Sequence, residues 1–101
     1  MKEKMALVEN VVGSDLFLGI PLSAQALYFH MLVRTDDDGL ANNPSAIQKM
    51  TNTPKNDMQI LAENGFIVLC QYGMQIITDL NEIITWREIN GGKKNVFKGN
   101  N

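Results

Sequence analysis

A single cysteine, Cys70, stands in this chain of 101 residues, which excludes an intramolecular disulfide and leaves a thiolate metal site without its partners. The only histidine, His30, has no second imidazole or thiol at ligand spacing, so the expected role is structural, on a helix, and no bound metal is implied. Long apolar runs are missing too. None approaches the roughly eighteen residues of a membrane span, and residues 1–9 lack a signal-peptide core, so the expectation is a cytoplasmic protein with no membrane partner. There is no glycine-rich phosphate loop and no nucleophile elbow, because Gly91-Gly92 and Tyr72-Gly73 read as turns. Cys70, expected as a buried strand residue, has no basic neighbour to activate it in Leu69-Cys70-Gln71. An enzyme is not expected, nor is a cofactor.

Neither sign of charge dominates, the formal net charge being -2. Its distribution is uneven. Residues 1–85 carry five Lys/Arg against ten Asp/Glu, whereas residues 86–101 carry Arg87, Lys93, Lys94 and Lys98 against Glu88 alone. The natural division is a body over residues 1–90 and a flexible basic tail over 91–101, the latter too rich in Gly, Asn and Lys to bury much. A solvated terminus without a partner is the plain alternative.

What is present is a run of helix signals followed by strand signals. Ser14-Asp15-Leu16-Phe17-Leu18 reads as a short helical turn docking its three apolar residues. A helix begins near Pro21, with Ser23 available as a cap and Ala24, Leu27, Tyr28 and Met31 at helical spacing, flanked by Phe29 and Leu32. Asp36-Asp37-Asp38-Gly39 makes a turn, and Leu40-Ala41 a very short strand. The aspartates could suggest a calcium loop, but no glutamate stands near the twelfth position that such a loop needs, so a solvated turn is expected. Asn43-Pro44 and Thr53-Pro54 each set a capping residue before proline at a first helical position. The first of these helices runs to about Met50, turning Ile47 and Met50 inward. The second runs from Pro54 to about Asn64, with Met58, Leu61 and Ala62 on one face and Asn64-Gly65 as the stop. Thr51, Asn52 and Thr53 between them give helix-turn-helix spacing.

Phe66-Ile67-Val68-Leu69 and Gln75-Ile76-Ile77-Thr78 have the branched and aromatic residues of strands, with Tyr72-Gly73 as their turn. A second hairpin is expected from Ile76-Ile77-Thr78 and Ile83-Ile84-Thr85-Trp86, on the strength of their β-branched content. The competing reading makes Asp79 a helix cap, with Glu82 three residues on, and carries a short helix to Ile89. Helix, short strand, helix, turn, helix and hairpin is the order of an α+β winged helix, whose third helix is the usual occupant of the major groove.

The stretch containing Ser14-Asp15, Phe17-Leu18, Pro21-Leu22-Ser23, Gln25-Ala26-Leu27-Tyr28-Phe29-His30, Arg34, Asp36-Asp37-Asp38-Gly39 and Asn43-Pro44, continuing through Ile47 to Phe66-Ile67, resembles the amino-terminal domain of phage replisome organisers, relatives of the DnaD-like replication initiation proteins. The resemblance covers about half the chain. It implies a winged helix that binds double-stranded DNA in replication initiation and that associates with itself or with other replication proteins. Two departures stand out. Trp86-Arg87-Glu88-Ile89-Asn90 comes later than the family's Trp-Arg pair, implying a longer wing, and the tail is thinner in arginine. Family members also continue into further domains, so ending at Asn101 implies either a fragment or action without the helicase-recruiting part.

On the third helix, Lys55, Asn56, Gln59 and Glu63 fall on the face opposite Met58, Leu61 and Ala62. Asn and Gln suit adenine edges, and Lys suits guanine or phosphate. The candidate DNA-binding residues are Lys49, Asn52, Lys55, Asn56, Gln59, Lys93 and Lys94. Against them, Asp57 and Glu63 make this helix net negative, and an acidic body favours a second reading, a winged helix used for protein assembly.

Overall fold

The structure, a computed structural model, describes residues 8–71 and 73–99, with side chains as far as Asn90. The described chain is α+β. A helical segment at 8–12 (α1) precedes α2 (Asp15–Leu18), α3 (Leu22–Leu32), the strand β1 (Leu40–Ala41), α4 (Pro44–Thr51), α5 (Asn56–Glu63), the strands β2 (Ile67–Cys70) and β3 (Gly73–Ile76), and α6 (Leu80–Gly99). The three strands form an antiparallel sheet in the order β1-β3-β2.

The expected turn at Ser14 forms as α2, whose cap is the Ser14 hydroxyl oxygen accepting from the Phe17 backbone N–H. Only Phe17 of its apolar trio is buried; Leu18 is exposed. The cap expected for α3 differs. Pro21 occupies the cap position, without a side-chain hydrogen bond, and Ser23 lies one residue inside the helix. Proline's fixed φ starts the helix without a capping oxygen.

The core gathers Ala24, Leu27, Tyr28, Met31 and Leu32 of α3 around Phe17, Ile47, Leu61, Phe66, Met74, Ile76 and Ile83. Phe17 meets Tyr28, Phe29 and Phe66 edge-on at 5.1, 6.0 and 5.5 Å, the favoured approach of ring edge to ring face. The buried Tyr28 hydroxyl donates to the Ile77 carbonyl at 2.7 Å, tying α3 to the end of β3. Burial pushes this phenol well above its ordinary pKa.

Asn43 caps α4 as expected, accepting from the Ala46 N–H, with Pro44 in the first turn. Ile47 is buried, but Met50 is 62% exposed, being three residues past Ile47 on a helix too short to wrap the core. The start of α5 also departs from expectation. It begins at Asn56 rather than Pro54, its cap position is Lys55, and Thr53-Pro54 remain in the connecting turn.

The end of α5 follows its sequence signal. Gly65 takes φ +84°, its N–H donates to the Ala62 carbonyl, and the Phe66 N–H reaches back to the Leu61 carbonyl. This glycine-terminated helix end satisfies carbonyls of the last turn and pairs buried Phe66 with buried Leu61. The chain then enters the β2–β3 hairpin, registered Ile67 to Ile76 and Val68 to Gln75. Pleating places Leu69 on the same face as buried Ile67, yet Leu69 is exposed, so the hairpin tip reaches past the helices. Cys70, expected to be buried, is exposed at this tip because it lies on the opposite face of the strand, with exposed Val68.

The second hairpin expected over 76–86 does not form. Asp79 starts α6 instead, its carboxylate accepting from the Asn81 N–H while its carbonyl accepts from Glu82 and Ile83. A capping aspartate thus outweighs the β-branched run Ile83-Ile84-Thr85, whose strand preference depends on having a partner strand. Gly91-Gly92, expected as a turn, lies within α6, whose backbone continues to Gly99, while the side chains of the expected flexible basic tail over 91–101 lie outside the described residues. Among the described residues no helix is long and apolar enough to cross a membrane.

Candidate nucleic-acid interface

The surface around the α4–α5 turn is set by short-range geometry. Helix α4 stops because Asn52 enters the left-handed region at φ 57°, a conformation that asparagine tolerates better than most residues. The Thr51 hydroxyl turns back onto the Ile47 carbonyl at 2.9 Å. Across the turn, the Gln48 side-chain amide donates to the Pro54 carbonyl at 2.7 Å, bracing the lead-in to α5. Gln48 carries no signal in sequence for this role beyond its distance from Pro54.

Lys49, Asn52, Lys55, Asn56 and Gln59 are all exposed. Lys55 and Gln59 are neighbours at i and i+4, and Asn56 and Gln59 at i and i+3, so these three share one side of α5. Lys49 and Asn52 come from the last turn and cap of α4. The Gln59 side-chain amide donates to Glu63 Oε2 at 2.8 Å, which fixes the side chain on the helix surface. Lys93 and Lys94 lie outside the residues whose side chains are described.

Asp57 has a place that periodicity had not revealed. It is 2% exposed, in the first turn of α5, and its Oδ2 has no hydrogen-bond partner. By sequence it counts toward the net negative charge of the helix; in the structure it lies beneath the outer surface, at the positive end of the helix dipole, which offsets its charge. Consequently the exposed charged side chains over residues 42–62 are Lys49 and Lys55, with no exposed carboxylate among them. Among the described residues the exposed acids are elsewhere, at Glu9, Asp15, Asp36–Asp38, Glu82 and Glu88.

The aspartate turn explains itself locally. Asp36 Oδ1 accepts from the Asp38 and Leu40 N–H groups, both at 2.9 Å, shaping the entry to β1. Among the described residues no group of three or more His, Cys, Asp or Glu side chains is placed to hold a metal ion.

The far side of α5 is locked to α6. Arg87 Nη1 donates to Asn64 Oδ1 at 2.7 Å, while Asn64 Nδ2 donates to the Ile60 carbonyl at 2.7 Å. The Trp86 ring covers Gly65 so closely that a Cβ there would lie 3.1 Å from Trp86 Cε3. The Trp86-Arg87 pair therefore fixes the carboxyl end of the helix whose amino half presents Lys55, Asn56 and Gln59. No family model, curated protein or solved structure matches this chain.

Proposed function

We propose that the chain is a winged-helix module of phage replisome-organiser type that binds double-stranded DNA in replication initiation. The helix-turn-helix is α4 and α5, and the wing is the β2–β3 hairpin with its protruding tip. One observation carries the reading: over residues 42–62 the exposed charges are both lysines, and Asn52, Asn56 and Gln59 add neutral groups suited to base edges. Binding there needs no metal or cofactor. The test is a titration of duplex DNA at several salt concentrations with the parent and the K49A/K55A double variant. The affinity of the parent should fall steeply with salt, and the double variant should lose up to about two units of log-log slope. A parent that fails to bind at low salt would remove the proposal.

A second reading, protein assembly without direct DNA contact, is favoured by a separate observation. Leu22, Ala26, Phe29 and Val33 are exposed along one side of α3, opposite its core face, and Leu18 is exposed just before them. No Asp, Glu, Lys or Arg occurs from Leu16 to Val33. A contiguous exposed apolar line of this kind marks interaction surfaces. Association through it would persist in salt that abolishes phosphate contacts.

A further inference from the structure

We propose that Glu63 is a positioning residue that fixes the Gln59 amide so that it favours adenine over guanine in the major groove, an inference that rests on the DNA-binding reading above. Gln59 is exposed on the outer side of α5, and its Nε2 donates to Glu63 Oε2 at 2.8 Å. This bond consumes one N–H and assigns the orientation of the amide. What remains free is one N–H beside the carbonyl oxygen, a donor next to an acceptor. Adenine presents the complement, the N7 acceptor beside the N6 donor. Guanine presents two acceptors, N7 and O6, so the Gln59 carbonyl would face O6 with no hydrogen between them.

A glutamine without such a neighbour can turn its amide over and offer N–H groups to guanine. In this chain the turned amide would place the Gln59 oxygen against the Glu63 carboxylate, which has no proton to donate. Glu63 thus acts by penalising the wrong base, not by touching DNA. Asn56, one helical turn before Gln59, has no such neighbour at i+4, where Ile60 stands.

The probe is a pool of duplexes randomised over about two helical turns, selected separately by the parent, Q59A, E63Q and the Q59A/E63Q double variant, and then sequenced. Glutamine at position 63 can donate or accept, so it tolerates either orientation of Gln59. The parent pool should show a position where adenine exceeds guanine by on the order of tenfold, a preference lost in Q59A. At that position the E63Q pool should admit guanine, and E63Q should change nothing further in the Q59A background. Losing the Glu63 charge raises affinity for all duplexes alike and so leaves the ratio of bases untouched. Circular dichroism should show E63Q folded at the temperature of the selection. An E63Q pool identical to the parent's would overturn the inference while leaving DNA binding intact. So would a parent pool with no adenine preference that depends on Gln59. A parent that enriches no duplex and binds none at low salt overturns both readings together.

Discussion

Tyr28 connects a single side chain to the response of the whole domain to alkali. Its hydroxyl is buried and donates to the Ile77 carbonyl, and burial raises its pKa. In the unfolded chain the phenol ionises near pH 10, whereas in the folded chain it keeps its proton above that. The stability from this group is therefore complete below about pH 10 and declines as pH rises further, by roughly 1.4 kcal/mol per pH unit. Urea unfolding at a series of pH values should show the decline, and Y28F, although less stable at neutral pH, should show a shallower one. Equal slopes for the two proteins would refute the assignment. Residues of this kind were partly legible in sequence. Tyr28 lies on the apolar stripe that periodicity identifies, but Asp57 does not announce its burial. It stands in the first turn of α5, four residues before buried Leu61, and a carboxylate on a core face is read as an outward charge until packing places it.

Among elements, α3 and α5 carry the core, and their inner faces were legible from spacing. Leu27 and Leu61 are fully buried, one on each of these helices. Truncating either to Ala should cost about 2–5 kcal/mol, the transfer loss plus the cavity left behind. Denaturant titration measures it, and a loss below about 0.5 kcal/mol in either variant would mean that the helix faces are wrongly assigned. Helix starts were harder to read than faces. Thr53-Pro54 has the sequence of a cap followed by a first helical residue, yet α5 begins two residues later, the Pro54 carbonyl accepting both from the Asp57 N–H and from the Gln48 side-chain amide of the preceding helix. The segment after β3 departs from its sequence signal for a different reason. Ile83, Ile84 and Thr85 favour strands where a partner strand exists, but β3 already pairs with β1 and β2 on its two sides. With both edges of β3 occupied, the Asp79 cap decides, and Ile83 is buried from a helix instead.

For the whole molecule, the imbalance between an acidic body and a basic end makes the carboxyl-terminal residues a testable source of affinity. Deleting residues 91–101 removes Lys93, Lys94 and Lys98. If these reach phosphates, the deletion should lower the log-log salt slope for duplex DNA by up to about three units. An unchanged slope and affinity would show that the segment takes no part in binding. The order of strands has a consequence of another kind, for the route by which the chain folds. The β2–β3 hairpin pairs near neighbours in sequence, so it can form early and independently. The pairing of Leu40 with Gln75 and of Ala41 with Met74 cannot, because it closes a loop containing α4, α5 and β2. The closure has little slack, since Gly73 meets the Ala41 carbonyl where any side chain would collide. Strand β1, only two residues long, holds this closure through two residue pairs, so its opening costs less than that of the β2–β3 hairpin. Its release would unfasten the amino end of α4 from the sheet, while the carboxyl end of α5 stays held by β2 and by Trp86 and Arg87, making this two-residue strand a latch on one side of the α4–α5 pair.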